Sequence, residues 1–198
     1  MRHSLAGALT LAVLVQLAPG CATNKAATGS TVRGTIIGAR VGGVAGGMIG
    51  HQMDKQAHEL AYDLPGATVQ RVGEGIAVTF PEGLLFGFDS DQLMPAARHH
   101  LRSFAASLQK YPNTRTLIVG HTDSQGSAAY NIDLSDRRAS SAASFIAAEG
   151  IDRARLCMVG RGETEPIATN ASDEGRRQNR RVEIAIYATA ATGGGSGN

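Results

Sequence analysis

Two stretches near the middle of the chain carry side chains that could bind a charged small molecule. Asp123 follows the apolar run Thr116–Gly120, which predicts a central β-strand with the aspartate just beyond its carboxyl end. Asn131 and Arg138 are seven residues apart in the helix predicted next, and seven residues turn about 700°, so both lie on one face. These residues could bind a molecule that carries both charges. Taken alone, they fit an ordinary structural salt bridge better.

The sequence gives less support to a metal site or to a hydrolase. His121 and Asp123 offer two metal ligands, but no third His, Cys or Glu follows at zinc-site spacing. A hydrolase would need an acid–base pair or a metal-activated water. Ser124 lacks a nucleophile-elbow motif, and Cys157 lies in an apolar run. We therefore expect no enzyme, no metal and no cofactor.

Composition narrows the class of protein. The chain has 198 residues, of which 42% are hydrophobic and 18% charged, as expected for one packed domain with appended segments. Its 19 Lys and Arg against 17 Asp and Glu are nearly balanced, so charge does not indicate a nucleic-acid binder. The arginines at 176, 177, 180 and 181 are expected to form a solvated face. Two cysteines are too few for a disulfide-rich scaffold.

Alternating strands and helices are predicted to position Asp123 and Arg138. Residues 68–72 and 76–80 read as a β-hairpin, and residues 84–88 as a third extended stretch. A helix is expected from Pro95 to before Pro112, and a longer one from Ser127 to Glu149. Strands at 156–160 and 182–186 flank a short helix that opens at Ser172. This order predicts an α+β fold, a two-layer sandwich with the sheet on one side and the helices on the other.

The first 20 residues have the layout of a secretory signal peptide, with basic residues before an apolar run of insufficient length to span a bilayer. The stretch that ends in Cys21 resembles a lipobox, in which the cysteine becomes the lipid-carrying first residue. Ala18 and Pro19 depart from the usual pattern, so ordinary cleavage that leaves Cys21 as a free or disulfide-bonded thiol stays an alternative. Acyl chains on Cys21 would anchor the protein without a transmembrane helix.

A glycine ladder follows the linker at 21–31. Glycines recur every four residues at 34, 38, 42, 46 and 50 within a predicted helical segment at 32–62. In a helix this spacing leaves one face without side chains, so a second backbone can approach closely. Each interior glycine costs about 0.8–1 kcal/mol relative to alanine, so the helix needs a partner: another copy, a different protein or lipid. Arg40 interrupts the apolar stretch, which argues against a membrane span.

Four ordered motifs carry a family resemblance. They are Gly120-His121-Thr122-Asp123-Ser124, Asn131-x-x-Leu134-Ser135-x-x-Arg138-Ala139, Gly160-x-Gly162-x-x-x-Pro166-Ile167 and Asn179-Arg180-Arg181-Val182-Glu183-Ile184. Together they resemble the OmpA-like peptidoglycan-binding domain, here placed at 66–188 with a flexible tail at 189–198. With the lipobox and the ladder, the chain resembles the outer-membrane lipoproteins that carry an N-terminal glycine zipper. The resemblance implies a βαβαβ-type sandwich preceded by a glycine-zipper helix.

The same resemblance implies roles for individual residues. Asp123 would bind the ammonium of diaminopimelate in the peptidoglycan stem peptide, and Arg138 its carboxylate, with Arg180 as a second cation. Asn131 completes the motif on the helix. Asp91 and Gln125 stand where many relatives carry Asn and Thr or Ser, and they are expected to add secondary polar contacts.

The expected function is therefore noncovalent binding of peptidoglycan, which tethers the outer membrane to the cell wall from the periplasmic side. Two alternatives stay open: a cell-wall hydrolase, and an interaction protein that self-assembles through the ladder. The expected partners are peptidoglycan, the membrane through the lipid anchor and a second copy of the chain, but no nucleic acid.

Overall fold

The computed structural model describes Val32 and residues 46–188. The predicted signal peptide, Cys21, the first three glycines of the ladder and the tail at 189–198 lie outside the described residues.

A five-stranded sheet forms one layer. Its strands are β1 Thr68–Val72, β2 Gly75–Pro81, β3 Thr114–His121, β4 Leu156–Gly162 and β5 Arg181–Ala188. The order across the sheet is β1-β2-β5-β3-β4. Strands β1, β2, β5 and β3 pair antiparallel, whereas β3 and β4 pair in parallel. The last strand therefore enters the middle of the sheet, next to the strand that leads to Asp123.

Helices form the second layer and confirm the predicted two-layer α+β fold. They are α1 Gly46–Asp63, α2 Glu82–Leu85, α3 Pro95–Lys110, α4 Ala128–Ala148 and α5 Asp173–Asn179, with a 3-10 turn at Arg153–Arg155. Pro95 occupies the first turn of α3, where its missing N–H costs nothing. Ser127 caps α4 by accepting a hydrogen bond from the Tyr130 amide.

The main core lies between the sheet and these helices. Alternate residues of β2, ending with Phe80, contact Leu101 and Phe104 of α3. The Phe80 and Phe104 rings meet edge to face with centroids 6.4 Å apart, a favoured arrangement for aromatic pairs. The period of two in β2 and the helical period in α3 supply facing apolar surfaces.

Helix α1 belongs to this core, although the sequence placed it in the helical segment at 32–62, ahead of the domain at 66–188. Met53 and Leu60 are buried in the main cluster. The buried Gln56 side chain donates a hydrogen bond to Ser107 Oγ of α3 at 3.2 Å. The packed unit therefore includes residues before 66, because one face of α1 is apolar enough to pack.

The prediction of an extended stretch at 84–88 is wrong. Residues 82–85 form the short helix α2, and only Phe86 makes a bridge, to Leu93. The Glu82 amide donates to the Arg180 carbonyl at 3.0 Å at the end of the β2–β5 ladder, and the Phe86 amide then donates to the Glu82 carbonyl at 2.8 Å, which closes a helical turn. The turn buries Leu85 and Phe86 and leaves Phe88 82% exposed.

The second face of the sheet carries a smaller apolar cluster, made of Val32, Leu117, Val119, Cys157 and Ala185. Cys157 is buried. Among the described residues, no helix combines the length and the apolar character needed to cross a membrane.

Candidate functional site

Close packing of α4 on the sheet positions the predicted site. A Cβ atom at Gly120 would lie 2.1 Å from the Ser135 carbonyl oxygen, and one at Gly160 would lie 2.5 Å from the Asp136 amide nitrogen. Both distances are shorter than any real contact, so only glycine lets α4 lie this near to β3 and β4. The helix therefore brings Asn131 and Arg138 against the end of β3.

Asp123 occupies a turn directly after β3. Its Oδ1 accepts a hydrogen bond from the Gln125 amide at 2.9 Å, the local bond by which aspartate stabilises turns. Its Oδ2 lies 2.5 Å from Nη1 of Arg180, which immediately precedes β5. The turn thus fixes one carboxylate oxygen and directs the other toward a cation.

Four charged side chains form a continuous series, which we call the charge quartet: Asp123, Arg180, Glu82 and Arg138. Arg180 contacts Asp123 through Nη1 and Glu82 Oε2 through Nε, the latter at 2.6 Å. The other Glu82 oxygen pairs with Arg138 Nη2. Negative and positive groups alternate, so the four formal charges sum to zero.

Arg138 is held by three kinds of contact. Its Nε donates to the Ser90 carbonyl at 2.8 Å, and its guanidinium lies 5.6 Å from the centroid of the Phe86 ring. Nη2 forms an ion pair with Glu82. These contacts hold the buried guanidinium in place beside Glu82.

The members of the quartet are largely buried. Asp123 is 4% exposed and Arg138 is 2% exposed. The Arg180 side chain is 21% exposed and is the most accessible member. A groove of about 290 Å³ lies elsewhere, between β2 and α5, and includes Thr79, Ile167 and Arg177 in its lining. The quartet is closed in this structure.

The pKa of Arg180 reflects its two anionic partners. Burial by itself lowers this pKa, but the hydrogen bonds to Asp123 and Glu82 outweigh burial and raise it above its ordinary value. Arg180 therefore stays cationic and can hold two carboxylates at once.

Glu82 is the member of the quartet that sequence reasoning missed. It lies 98 positions from Arg180 along the chain. No spacing rule connects residues so far apart, and the surrounding residues suggested a strand. The sequence around Glu82 offers one indication of its role, which is an acidic residue directly after Pro81 in the first turn of a helix.

Asn131 lies beside the quartet and connects helix α4 to two neighbouring loops by hydrogen bonds. It is 2% exposed, and its Nδ2 donates to Glu163 Oε2 at 2.6 Å and to the Asp123 carbonyl at 3.3 Å. Both bonds link α4 to the loops that follow β3 and β4. Asn131 thus holds the turn that contains Asp123.

Asp91 and Gln125 lie near the site but do not extend the quartet. Asp91 Oδ2 pairs with Arg137 Nε at 2.7 Å, and Arg137 also pairs with Asp133. Gln125 is exposed, and its backbone amide donates a hydrogen bond to Asp123. The structure therefore links these two predicted residues to surface contacts.

The arginine run divides between separate environments. Arg176 and Arg177 pair with Asp173 and Glu174 on α5. Arg181 Nε pairs with Glu183 Oε1 at 2.7 Å, with side chains only 1% and 10% exposed. The expected solvated face holds for Arg177, whereas Arg181 is buried.

His121 lies beside Arg181 in the sheet register and is 1% exposed. Burial, followed by the charges of Arg181 and Arg161, lowers its pKa from 6.5 to about 3. The imidazole is therefore neutral at neutral pH. No group of three metal-ligating side chains occurs among the described residues.

The fold and the quartet together define a small α+β binding domain with paired cationic and anionic groups at the end of a central strand. The chain belongs to the OmpA family, whose model matches residues 85–180. A second model, described as a glycine zipper, matches residues 20–57. Both matches confirm the resemblance drawn from the motifs.

Individual relatives agree with this membership. The probable lipoprotein YiaD of Escherichia coli (strain K12) is 40% identical over 121 residues, which cover 61% of this chain and 55% of that protein. The peptidoglycan-binding protein ArfA of Mycobacterium bovis is 42% identical over 103 residues, covering 52% of this chain and 32% of ArfA. The chain thus spans about half, or less, of the length of these relatives.

A solved structure also matches. The cell wall anchor of the T6SS from Pseudomonas aeruginosa is 34% identical with a TM-score of 0.62, and the match covers 67% of this chain and 96% of that one. The family and these relatives carry no name of a catalytic activity.

Proposed function

We propose that this chain binds peptidoglycan noncovalently through the diaminopimelate of the stem peptide. The observation that carries the proposal is the charge quartet, which places Asp123 and Arg138 in one linked set at the carboxyl end of β3. Ligands commonly bind outside that end of strands in sheets with helical crossovers. The names of ArfA and of the cell wall anchor support the same ligand.

Each member of the quartet suits one part of a zwitterion. Asp123 offers a carboxylate oxygen to an ammonium group, and Arg138 offers a planar guanidinium to a carboxylate. Arg180 bridges them as the second cation and is the part that solvent reaches. Planar arginine matches carboxylate geometry better than lysine can. In this proposal Asn131 acts indirectly by holding the Asp123 turn.

The affinity per site should be weak. Each charge-assisted hydrogen bond contributes about 1.5–3 kcal/mol. Two or three such bonds, less the cost of association, correspond to a Kd in roughly the micromolar to millimolar range. The wall is a polymer, so a domain confined beside it rebinds readily.

Co-sedimentation with purified sacculi tests the proposal. Asp123→Asn removes the anionic group but keeps the shape of the side chain, and Arg180 keeps Glu82 as a partner. Alanine at Asp123 would also remove the side-chain oxygen that accepts from the Gln125 backbone amide, so asparagine changes the charge with less change in structure. We expect wild type in the pellet and Asp123→Asn in the supernatant.

Asp133→Asn is the matched control for that experiment, because Asp133 is exposed and pairs only locally, with Arg137. This variant loses the same charge and should sediment like wild type. Sedimentation of Asp123→Asn at the wild-type level would overturn the proposal. The same incubation tests the hydrolase alternative, since release of soluble muropeptides would indicate an enzyme.

The lipid anchor at Cys21 is a separate proposal, supported by the lipobox and by the lipoprotein name of one relative. The chain has two cysteines, so a thioether at Cys21 and a disulfide between Cys21 and Cys157 exclude each other. Metabolic labelling with a fatty acid, wild type against Cys21→Ala, distinguishes them. Label that depends on Cys21 supports outer-membrane anchoring with the domain facing the periplasm. An unlabelled wild type contradicts it.

The glycine ladder is proposed to supply self-association. The match to the glycine-zipper model supports this role. Deletion of residues 32–45 leaves the described helix α1 intact, so the domain should still bind sacculi. Loss of self-association on sedimentation analysis, with wall binding kept, would assign assembly to the ladder. Unchanged self-association would remove that role.

A further inference from the structure

Glu82 occupies a central place in the quartet. Its side chain is 10% exposed, and its two oxygens contact two different arginines, Arg138 and Arg180. Its backbone amide is bound to the Arg180 carbonyl at 3.0 Å. The carboxylate is therefore held at the position where a ligand carboxylate would meet both cations.

The geometry around Arg138 leaves little room for a second acceptor. Nε is committed to the Ser90 carbonyl, and the whole residue is 2% exposed. Its remaining charged contact is the ion pair with Glu82. A ligand carboxylate can therefore pair with Arg138 only by taking the place that Glu82 occupies.

We propose that Glu82 is an internal substitute for the ligand carboxylate, and that the stem peptide binds by displacing it from Arg138. This inference rests on the proposed function and adds to it a specificity-determining residue. Binding then exchanges one carboxylate for another and leaves the cations paired throughout. The weak affinity of the wild type follows in part from this competition.

The chemical class of ligand follows from the exchange. Only a free carboxylate carries the charge needed to replace Glu82 on a guanidinium. A stem peptide whose diaminopimelate carboxylate is amidated offers a neutral group and leaves Glu82 in place. The site should therefore select unamidated stem peptides.

Glu82→Gln tests the exchange. The variant removes the competing charge and leaves the two arginines with one carboxylate, Asp123. Because a ligand carboxylate then restores neutrality in a buried site, its Kd should fall about five- to tenfold. If Glu82 instead orients the arginines for the ligand, the same variant should bind more weakly.

The measurement is calorimetric titration of the mature chain with the tripeptide L-Ala-γ-D-Glu-meso-diaminopimelate and with its diaminopimelate carboxamide. We expect tighter binding of the free acid by Glu82→Gln and a change below about twofold for the carboxamide. Asp133→Asn is the control, since it removes a carboxylate charge at an exposed residue that pairs with Arg137 outside the quartet. It should match wild type.

Glu82→Asp provides a second variant in case Glu82→Gln folds poorly. It keeps the charge but shortens the reach to the arginines, so its Kd for the free acid should fall about two- to threefold. Wild-type or weaker binding by both Glu82 variants, with wild type binding the tripeptide, overturns this inference and leaves the proposed function standing. A wild type that binds neither tripeptide nor sacculi overturns both.

Discussion

Arg180 and Arg181 are neighbours in sequence with opposite environments. The Arg180 side chain is 21% exposed and joins Asp123 to Glu82, whereas the Arg181 side chain is 1% exposed and pairs with Glu183. Arg181 also donates to the carbonyls of Asn179 and Glu165, both at 3.1 Å. The side-chain contacts of Arg180 are with two carboxylates, whereas those of Arg181 are with one carboxylate and two backbone carbonyls.

The alternation of a β-strand produces this difference. Arg180 lies just before β5 and Arg181 is its first residue, so successive side chains point to opposite faces of the sheet. Backbone carbonyls cannot leave, so the Arg181 contacts serve stability. Carboxylates can exchange partners, so the Arg180 contacts can serve a ligand. We therefore expect Arg181 to serve stability and Arg180 to be available to a ligand.

The largest effect is expected for Arg181→Ala. Removing one partner of a buried pair leaves Glu183 unpaired and should lower the free energy of unfolding by about 3–5 kcal/mol. Urea unfolding followed by circular dichroism measures the change. A loss below about 1 kcal/mol would show that Arg181 is not structural, which contradicts the comparison.

Arg180→Ala should weaken ligand binding as well as stability. It leaves the buried Asp123 carboxylate without its ion-pair partner, which should lower the free energy of unfolding by about 3 kcal/mol, and loss of the second cation should weaken tripeptide binding at least about tenfold. Titration and urea unfolding of the same sample report both quantities. Unchanged affinity with a large stability loss would place Arg180 with Arg181.

The Arg181 region should also respond to pH through His121. Its pKa is about 3 in the folded chain and about 6.5 when unfolded, so the unfolded chain binds the extra proton between these values. Stability is full above about pH 6.5 and falls below it, by roughly 2 kcal/mol from pH 7 to pH 5. Urea midpoints of wild type and His121→Gln measure this. Equal pH dependence in both proteins would refute the assignment.

The smallest effect is expected for Asp91→Asn and Gln125→Ala, which lie outside the quartet. Asp91 forms a surface pair with Arg137, and such pairs contribute about 0–1 kcal/mol. Tripeptide Kd should change less than about twofold in either variant. A tenfold loss would return both residues to the ligand site, as the family resemblance first suggested.

Periodicity and motif order were sufficient to predict the strands of the sheet, the long helices and three members of the quartet. Asp123 follows an apolar run, and Arg138 lies seven residues after Asn131 in a predicted helix. The interpretation failed where local pattern and tertiary contact disagree. Residues 84–88 are apolar like a strand, yet residues 82–85 form a helical turn that the Phe86 amide closes on the Glu82 carbonyl.

The sequence by itself thus determined which groups this chain carries. They are an aspartate beyond a strand, arginines on a helix and beside a strand, a stretch that resembles a lipobox and a glycine ladder. Tertiary packing alone decided how they are joined. Glu82 reaches Arg138 and Arg180 only after the sheet has formed, because strand β5 enters the middle of the sheet from the far end of the chain. Charges interact through space, and sequence separation carries no record of that distance.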